Sequence, residues 1–398
     1  MRSQLDGNPA AQTSAAPRGA LPAIPVFYLR LDEADLEAVA ETLRSGWLTL
    51  GPRTACFEEA FAAHLGVKHA VAVSSGTAAL HLAYLAAGIG AGDEVIVPSF
   101  TFVATAAAIL YTGATPVFAD IIGPQNPSID PEDVARKITA RTKAVVAVHF
   151  GGYAAPVDEL RDLCARRGVA LIEDSAHAPS ATLGEQKLGT FGLVSAFSFF
   201  SNKAFAIGEG GLLATDNDDV AAFARSRRSH AMSAGSWERH TRRSDGYDVD
   251  GLGFNYRIDE PRSALALSRL ARLEDDIARR RELTLRYRHA LEDVGGLVLP
   301  FSNDEVPRSS CYVMAVFLAD PERRTPLRNA LLHGHGIQTS VFYPPIHEFT
   351  AYRRLLPDTH LPQTEQAGRS ELTIPLFTHM TAEQQDRVVD AIRRELPA

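Results

Sequence analysis

Three short clusters hold residue types that can do chemistry together. The first is Ser74–Ser75–Gly76–Thr77–Ala78. Its glycine lets backbone approach a ligand, and a helix opening here offers unpaired N–H groups to an anion such as a phosphate. A plain N-cap by Ser75 would account for the same residues. The second is Glu173–Asp174–Ser175–Ala176–His177. Adjacent carboxylates suit a metal ion or a charged ring nitrogen, and helix capping by Asp174 is the simpler reading. The third is Ser201–Asn202–Lys203, followed by Gly208–Glu209–Gly210–Gly211. A lysine among apolar residues is costly unless paired or neutral, and burial lowers its pKa. Such an amine is a good imine former, whereas most lysines simply lie on the surface.

The elements that position these clusters are legible as apolar runs. Residues 70–74, 94–98, 116–119, 144–148, 170–172, 194–199 and 211–215 read as strands buried on both faces. Helical patterns lie between many of them, at 77–87, 102–111 and 156–167. The alternation predicts an α/β fold with a mostly parallel sheet. In such sheets ligands bind at the carboxyl ends of strands, and all three clusters fall there. Together they supply a phosphate cradle, a carboxylate for a pyridine nitrogen and a lysine for an aldehyde. Those are the parts of a pyridoxal 5'-phosphate (PLP) site. The stretch Gly88–Ile89–Gly90–Ala91–Gly92 does not read as a dinucleotide motif. It follows a helix and precedes a strand, the reverse of what that motif needs.

Beyond the sheet, residues 228–250 are polar, basic and irregular, and a helical pattern runs over 260–291. A linker-like stretch at 300–307 leads to a smaller α+β region, with a strand near 311–318, a helix near 326–334 and a last helix capped by Thr381. The expected organisation is a disordered leader at 1–22, a large PLP-binding α/β domain at 23–265, and a small C-terminal domain at 266–398 with a long connecting helix. The 398 residues are 45% hydrophobic and 22% charged, with a net charge of -8. That balance argues against a nucleic-acid binder. Cys56, Cys164 and Cys311 lack C-x-x-C spacing, which speaks against a disulfide framework or zinc site and for buried thiols in a reducing compartment. No apolar run has membrane-spanning length and no signal peptide is evident. A cytoplasmic enzyme is expected, with no metal.

Several ordered blocks carry a family resemblance. They are Ser45–Gly46–Trp47–Leu48–Thr49–Leu50–Gly51 with Phe57–Glu58, Ser75–Gly76–Thr77–Ala78–Ala79–Leu80–His81, Gly92–Asp93–Glu94–Val95–Ile96–Val97–Pro98, Thr101–Phe102–Val103–Ala104–Thr105, Glu173–Asp174, Phe197–Ser198–Phe199 with Lys203, Gly208–Glu209–Gly210–Gly211, and Gly253–Phe254–Asn255–Tyr256–Arg257. From about residue 25 onward the chain resembles the DegT/StrS-type sugar aminotransferases, which have the fold type I architecture of PLP enzymes. The resemblance implies that Lys203 carries the cofactor as a Schiff base and that Asp174 keeps the pyridine nitrogen protonated. Gly76, Thr77, Ala78 and Ser198 would meet the phosphate, Phe102 would stack on the ring, and His177 would meet its phenolic oxygen. Asn255 would reach the neighbouring subunit's cofactor, which implies a homodimer with shared active sites. Thr49, Glu209, Tyr343 and His347 would face the substrate.

By the same resemblance, glutamate donates the amino group to a nucleotide-linked 4-keto-6-deoxy sugar. The alternative acceptor is a cyclitol, a 3-keto sugar or a free sugar in antibiotic or polysaccharide biosynthesis. Phe200 and Phe342 stand where many members have His or Tyr, and His, respectively, and both bear on the acceptor. A related dehydratase branch carries His in place of the lysine, so Lys203 argues against it. A cofactor-binding regulator without turnover is disfavoured by the intact lysine and aspartate.

Overall fold

The computed structural model describes residues 23–396 other than 234, 236, 238–239 and 242–245. The expected leader lies outside the described residues, as does part of the basic stretch after residue 228.

Among the described residues, seven strands form the central sheet. They are β1 (His69–Val73), β2 (Glu94–Pro98), β3 (Thr115–Ala119), β4 (Thr142–Val148), β5 (Ala170–Asp174), β6 (Val194–Ser198) and β7 (Gly211–Thr215). Their spatial order is β1-β7-β6-β5-β4-β2-β3. The period-2 rule explains why their sequences read as continuous apolar runs. Ala144, Val146 and Val148 of β4 enter one core, while Val145 and Ala147 enter the core on the other face. Helices α1 (Glu33–Ser45), α2 (Pro52–Leu65), α3 (Gly76–Ala86), α4 (Ala104–Tyr111), α5 (Val157–Arg167) and α6 (Asp218–Arg228) accompany the sheet.

β7 departs from the parallel pattern. It runs antiparallel to both β1 and β6. A parallel neighbour needs a crossover, usually a helix, and the link between β6 and β7 contains none. That link is the loop bearing Lys203.

The continuous helical pattern at 260–291 is two helices, α7 (Glu260–Leu270) and α8 (Leu273–Leu291). Arg272 leaves the helical path between them and pairs with Asp32 and Asp35 of the α1 start. The boundary expected at residue 265 therefore falls inside α7. A second core forms around a small antiparallel sheet of β8 (Leu297–Val298), β9 (Met314–Leu318) and β10 (Glu371–Ile374). Ile24 belongs to this core, not to the large sheet: its N–H donates to Gly336 O at 3.1 Å and its carbonyl accepts from Gln338 N at 2.9 Å. The last helix, α9 (Ala382–Glu395), opens on a capping box of Thr381 and Gln384. Cys164 and Cys311 are buried thiols, whereas Cys56 is exposed on α2. No helix of the described residues is long and apolar enough to cross a membrane.

Candidate active site

The carboxyl ends of β1, β5 and β6 open on one cavity of about 530 Å³. On one side is the start of α3. Ser75 caps this helix by accepting the Ala78 N–H at 3.1 Å. The N–H groups of Gly76 and Thr77 have no intrahelical partner, as in any first turn, and both residues line the cavity. Gly76 is required by a close approach: a Cβ there would lie 2.7 Å from Ser198 Cβ. Gly211 at the start of β7 is required likewise, because its Cβ would lie 2.3 Å from the Ser75 carbonyl carbon. The glycines thus let β6 and β7 close on the helix start and bring Ser198 beside it.

Asp174 ends β5 and is buried. One carboxylate oxygen accepts the Thr105 hydroxyl at 2.8 Å and the other accepts the Ala176 N–H at 3.1 Å. Neither partner is a cation. Burial pushes the carboxyl above the usual carboxylate range, against the pull of these two bonds and of Lys203 and His149. Next to it, Glu173 is fully buried and satisfied. It accepts from Gly189, Phe191 and Gly192 N–H and pairs with His149 at 3.0 Å. Glu173 therefore fixes the turn into β6 instead of reaching the cavity.

The loop after β6 is closed at its base by Phe199 N donating to Gly210 O and Ile207 N donating to Phe199 O, both at 2.9 Å. Lys203 sits at its turn, with its N–H on Phe200 O at 2.8 Å. Burial lowers the amine from the usual lysine range to about 8, and Asp174 resists that shift. An amine near 8 is still mostly protonated at physiological pH, but its neutral fraction is far larger than that of an ordinary lysine.

The far wall includes Tyr312, Phe342 and Tyr343, which share a buried cluster with Phe100, Phe150 and Phe317. The His177 Nδ1 accepts the Gly151 N–H at 3.3 Å, which leaves its Nε2–H to donate to the Tyr343 hydroxyl at 3.0 Å. Burial, with Lys203 and His149 nearby, drives His177 well below its ordinary pKa, so the ring is neutral. The segment bearing Phe342 and Tyr343 is tied to Glu371 of β10, whose carboxyl accepts the Phe342 N–H at 2.7 Å. Burial pushes Glu371 up to about 8, against the Thr373 hydroxyl, the Phe342 N–H and Arg324. A carboxyl raised in the fold holds a proton that the unfolded chain has released, so stability falls as pH rises and levels off above about 8. Glu371→Gln keeps an acceptor for Phe342 and should flatten that slope between about pH 5 and pH 8. Urea melts giving the same slope for variant and wild type would assign the pH dependence elsewhere.

A sequence profile of the DegT/DnrJ/EryC1/StrS aminotransferase family matches residues 29–393. The chain belongs to this family. It is an aminotransferase with the α/β architecture of its relatives. It is 38% identical over 380 residues to the spore coat polysaccharide biosynthesis protein SpsC of Bacillus subtilis, covering 93% of this chain and 96% of SpsC. Among solved structures it resembles the aminotransferase TlmJ from Streptoalloteichus hindustanus, with a TM-score of 0.87, 35% identity, and 94% and 98% of the two chains covered. It also resembles DesI, solved in the presence of its TDP-sugar product, with a TM-score of 0.81, 33% identity, and 92% and 90% covered.

In this aminotransferase the cavity gathers most of the residues singled out in the sequence. Gly76, Thr77, Phe102, Asp174, His177, Ser198, Lys203, Glu209 and Tyr343 all line it, with Phe200 and Phe342. Four others stand apart. The N–H of Ala78 is spent on the Ser75 cap. Thr49 is exposed on the turn before α2 and does not line the cavity. His347 is buried behind the wall, its Nδ1 on Ser99 Oγ at 2.8 Å and its Nε2 3.5 Å from Glu365, and so packs the end of β2. Asn255 is exposed and outside this chain's own cavity. Its loop is pinned to α3, where His81 meets the Tyr256 hydroxyl at 3.0 Å and Phe254 stacks on Tyr256. Thr105, Asn202 and Tyr312 were not singled out individually, yet all three line the cavity.

Proposed function

We propose that this aminotransferase works as a cytoplasmic homodimer that moves an amino group from glutamate to a nucleotide-linked 4-keto-6-deoxy sugar. Its cofactor is pyridoxal 5'-phosphate, and the lining fits that group. Asp174 is a buried carboxylate without a cationic hydrogen-bond partner, as a protonated ring nitrogen would provide. The Asn202 Oδ1 is buried without a partner. The Gly76–Ser198 approach makes a cradle that a side chain at Gly76 would fill. The observation that carries the reading is the meeting of Lys203 and Asp174 in one cavity with that cradle.

Bound PLP supplies an aldehyde for amines and a ring that spreads negative charge. The protein supplies the rest. The Gly76 and Thr77 N–H groups and the Ser198 hydroxyl hold the phosphate. Asp174 keeps a proton on the ring nitrogen, and Thr105 fixes the orientation of its carboxylate. His177, held neutral with its Nε2–H on the Tyr343 hydroxyl, would face the ring's phenolic oxygen together with that hydroxyl. Lys203 would hold the cofactor through its amine and, when that amine is free, would take the proton from the donor's α-carbon and give it back as general base and acid.

The sugar reading draws on SpsC and DesI, and on the outer wall. Phe200, Phe342, Tyr343 and Phe349 give that wall an apolar face suited to the deoxygenated edge of a 6-deoxy sugar. The dimer reading draws on exposure. Phe102 and Phe200 line the cavity yet are 54% and 43% exposed, and Leu252, near Asn255, is 82% exposed. A second chain laid over this face would cover them and bring Asn255 to the neighbouring cofactor. Incubation with glutamate and a panel of keto sugars tests the function. Oxoglutarate release is expected with nucleotide-linked 4-keto-6-deoxy sugars. Release only with 3-keto sugars, free sugars or cyclitols would overturn the acceptor.

A further inference from the structure

To serve as a base, Lys203 has to accept a proton in a site whose burial disfavours charge. Asp174 opposes that effect, but its charge is committed to the cofactor nitrogen in the function proposed above. The amine also lies over an aromatic ring. Lys203 Nζ lies 4.6 Å from the ring centroid of Tyr312. We propose that the face of the Tyr312 ring is a further catalytic group: it stabilises the ammonium form of Lys203, in which the lysine carries the proton taken from the donor. The inference rests on Lys203 being the cofactor lysine.

The ring is set to do this. The negative face of an aromatic ring attracts an ammonium within about 6 Å, and more strongly when both are desolvated. Tyr312 is fully buried just before β9, in a cluster with Phe100, Phe150, Phe317 and Phe342. Its N–H donates to Gly151 O at 2.8 Å and its carbonyl accepts from Arg280 Nη2 at 2.8 Å. Its ring packs on His177 with centroids 4.3 Å apart and on Phe27 at 6.0 Å. These contacts fix the ring before any ligand enters.

The surrounding charges leave the amine as the cation the ring serves. His177 is neutral. Arg280 is spent on the carbonyls of Cys311, Tyr312 and Leu376. His149 is paired with Glu173. Burial holds the phenols of Tyr312 and Tyr343 above their ordinary range, so both are neutral. Asp174 acts on Lys203 directly, and Glu209 lines the same cavity. The Tyr312 hydroxyl lies beside that of Tyr343 without a well-aligned hydrogen bond. The face of the ring, not the hydroxyl, is therefore the functional part.

That distinction sets the test. Competitive acylation of the full-length chain across pH, with the cofactor in its pyridoxamine form so that the Lys203 amine is free, read by mass spectrometry of the peptide bearing Lys203, reports the amine pKa without turnover. Tyr312→Phe keeps the ring and should leave that pKa in place. Tyr312→Leu should lower it by about one unit, a tenfold loss in the ammonium-to-amine ratio at fixed pH. Tyr312→Met, a flexible side chain that fills irregular space, repeats the measurement if the leucine variant does not fold. An unchanged or raised pKa in the aliphatic variants overturns the proposal, and so does an equal fall in Tyr312→Phe. Failure of the cofactor assignment would show separately, as absence of cofactor from Lys203 after borohydride reduction.

Discussion

Lys203→Ala should slow amino transfer by about 10⁴-fold, the upper range for loss of a positioned proton carrier. The variant loses the group that takes the proton from the donor's α-carbon, and water has to replace it. The fold should survive. Among the described residues the Lys203 amine has no hydrogen bond or ion pair, and it lies over the Tyr312 ring. Removing it also takes away an amine that burial depresses to about 8. Thermal unfolding of the cofactor-free variant should therefore match or exceed wild type. Single-turnover kinetics with glutamate check the first expectation. A loss below about tenfold would mean that another group carries the proton.

Asp174→Asn should have the second largest effect, on the order of 10²–10³-fold. Leaving a buried charge without its partner costs about 3–5 kcal/mol, and each decade of rate corresponds to about 1.4 kcal/mol. The amide oxygen can still accept from Thr105 or Ala176, so the local geometry is kept. The amide cannot balance a protonated ring nitrogen, and the ring ceases to draw charge from the donor carbon. The cofactor-free variant should behave differently. Burial raises the Asp174 pKa, so the folded chain binds a proton more readily than the unfolded one, and stability is lost as pH rises through the folded value. Neutral asparagine removes that loss. Above neutral pH the empty variant should be at least as stable as wild type while its catalysis collapses. A variant that melts earlier and retains its rate would contradict both halves.

These two residues were legible in the sequence because each lies within a few residues of the end of an apolar strand, and strand ends collect ligands in parallel sheets. Gly76 was legible for the same reason. Its cause is nonetheless tertiary: Ser198, far along the chain, packs against it. What strand-end reasoning missed comes from elsewhere. Thr105 opens the first turn of α4 and reaches Asp174 sideways. Tyr312 enters from the segment just before β9, pinned by Arg280 and by the Gly151 carbonyl. An aromatic residue just before a strand gives no local hint of that route. His347 shows the converse. It lies four residues beyond Tyr343, but the chain turns at Ile346–Glu348 and buries it against Ser99. The antiparallel β7 was likewise unreadable from its composition, since a buried strand looks alike in either direction. Only the missing helix between β6 and β7 signals it.

The central claim is that Lys203 carries the cofactor covalently. Borohydride reduction of the holoenzyme, followed by peptide mapping, tests it most directly. The cofactor's mass is expected on the peptide containing Lys203 and on no other. Label on a different lysine, or none on a protein that still transfers amino groups, would contradict the account.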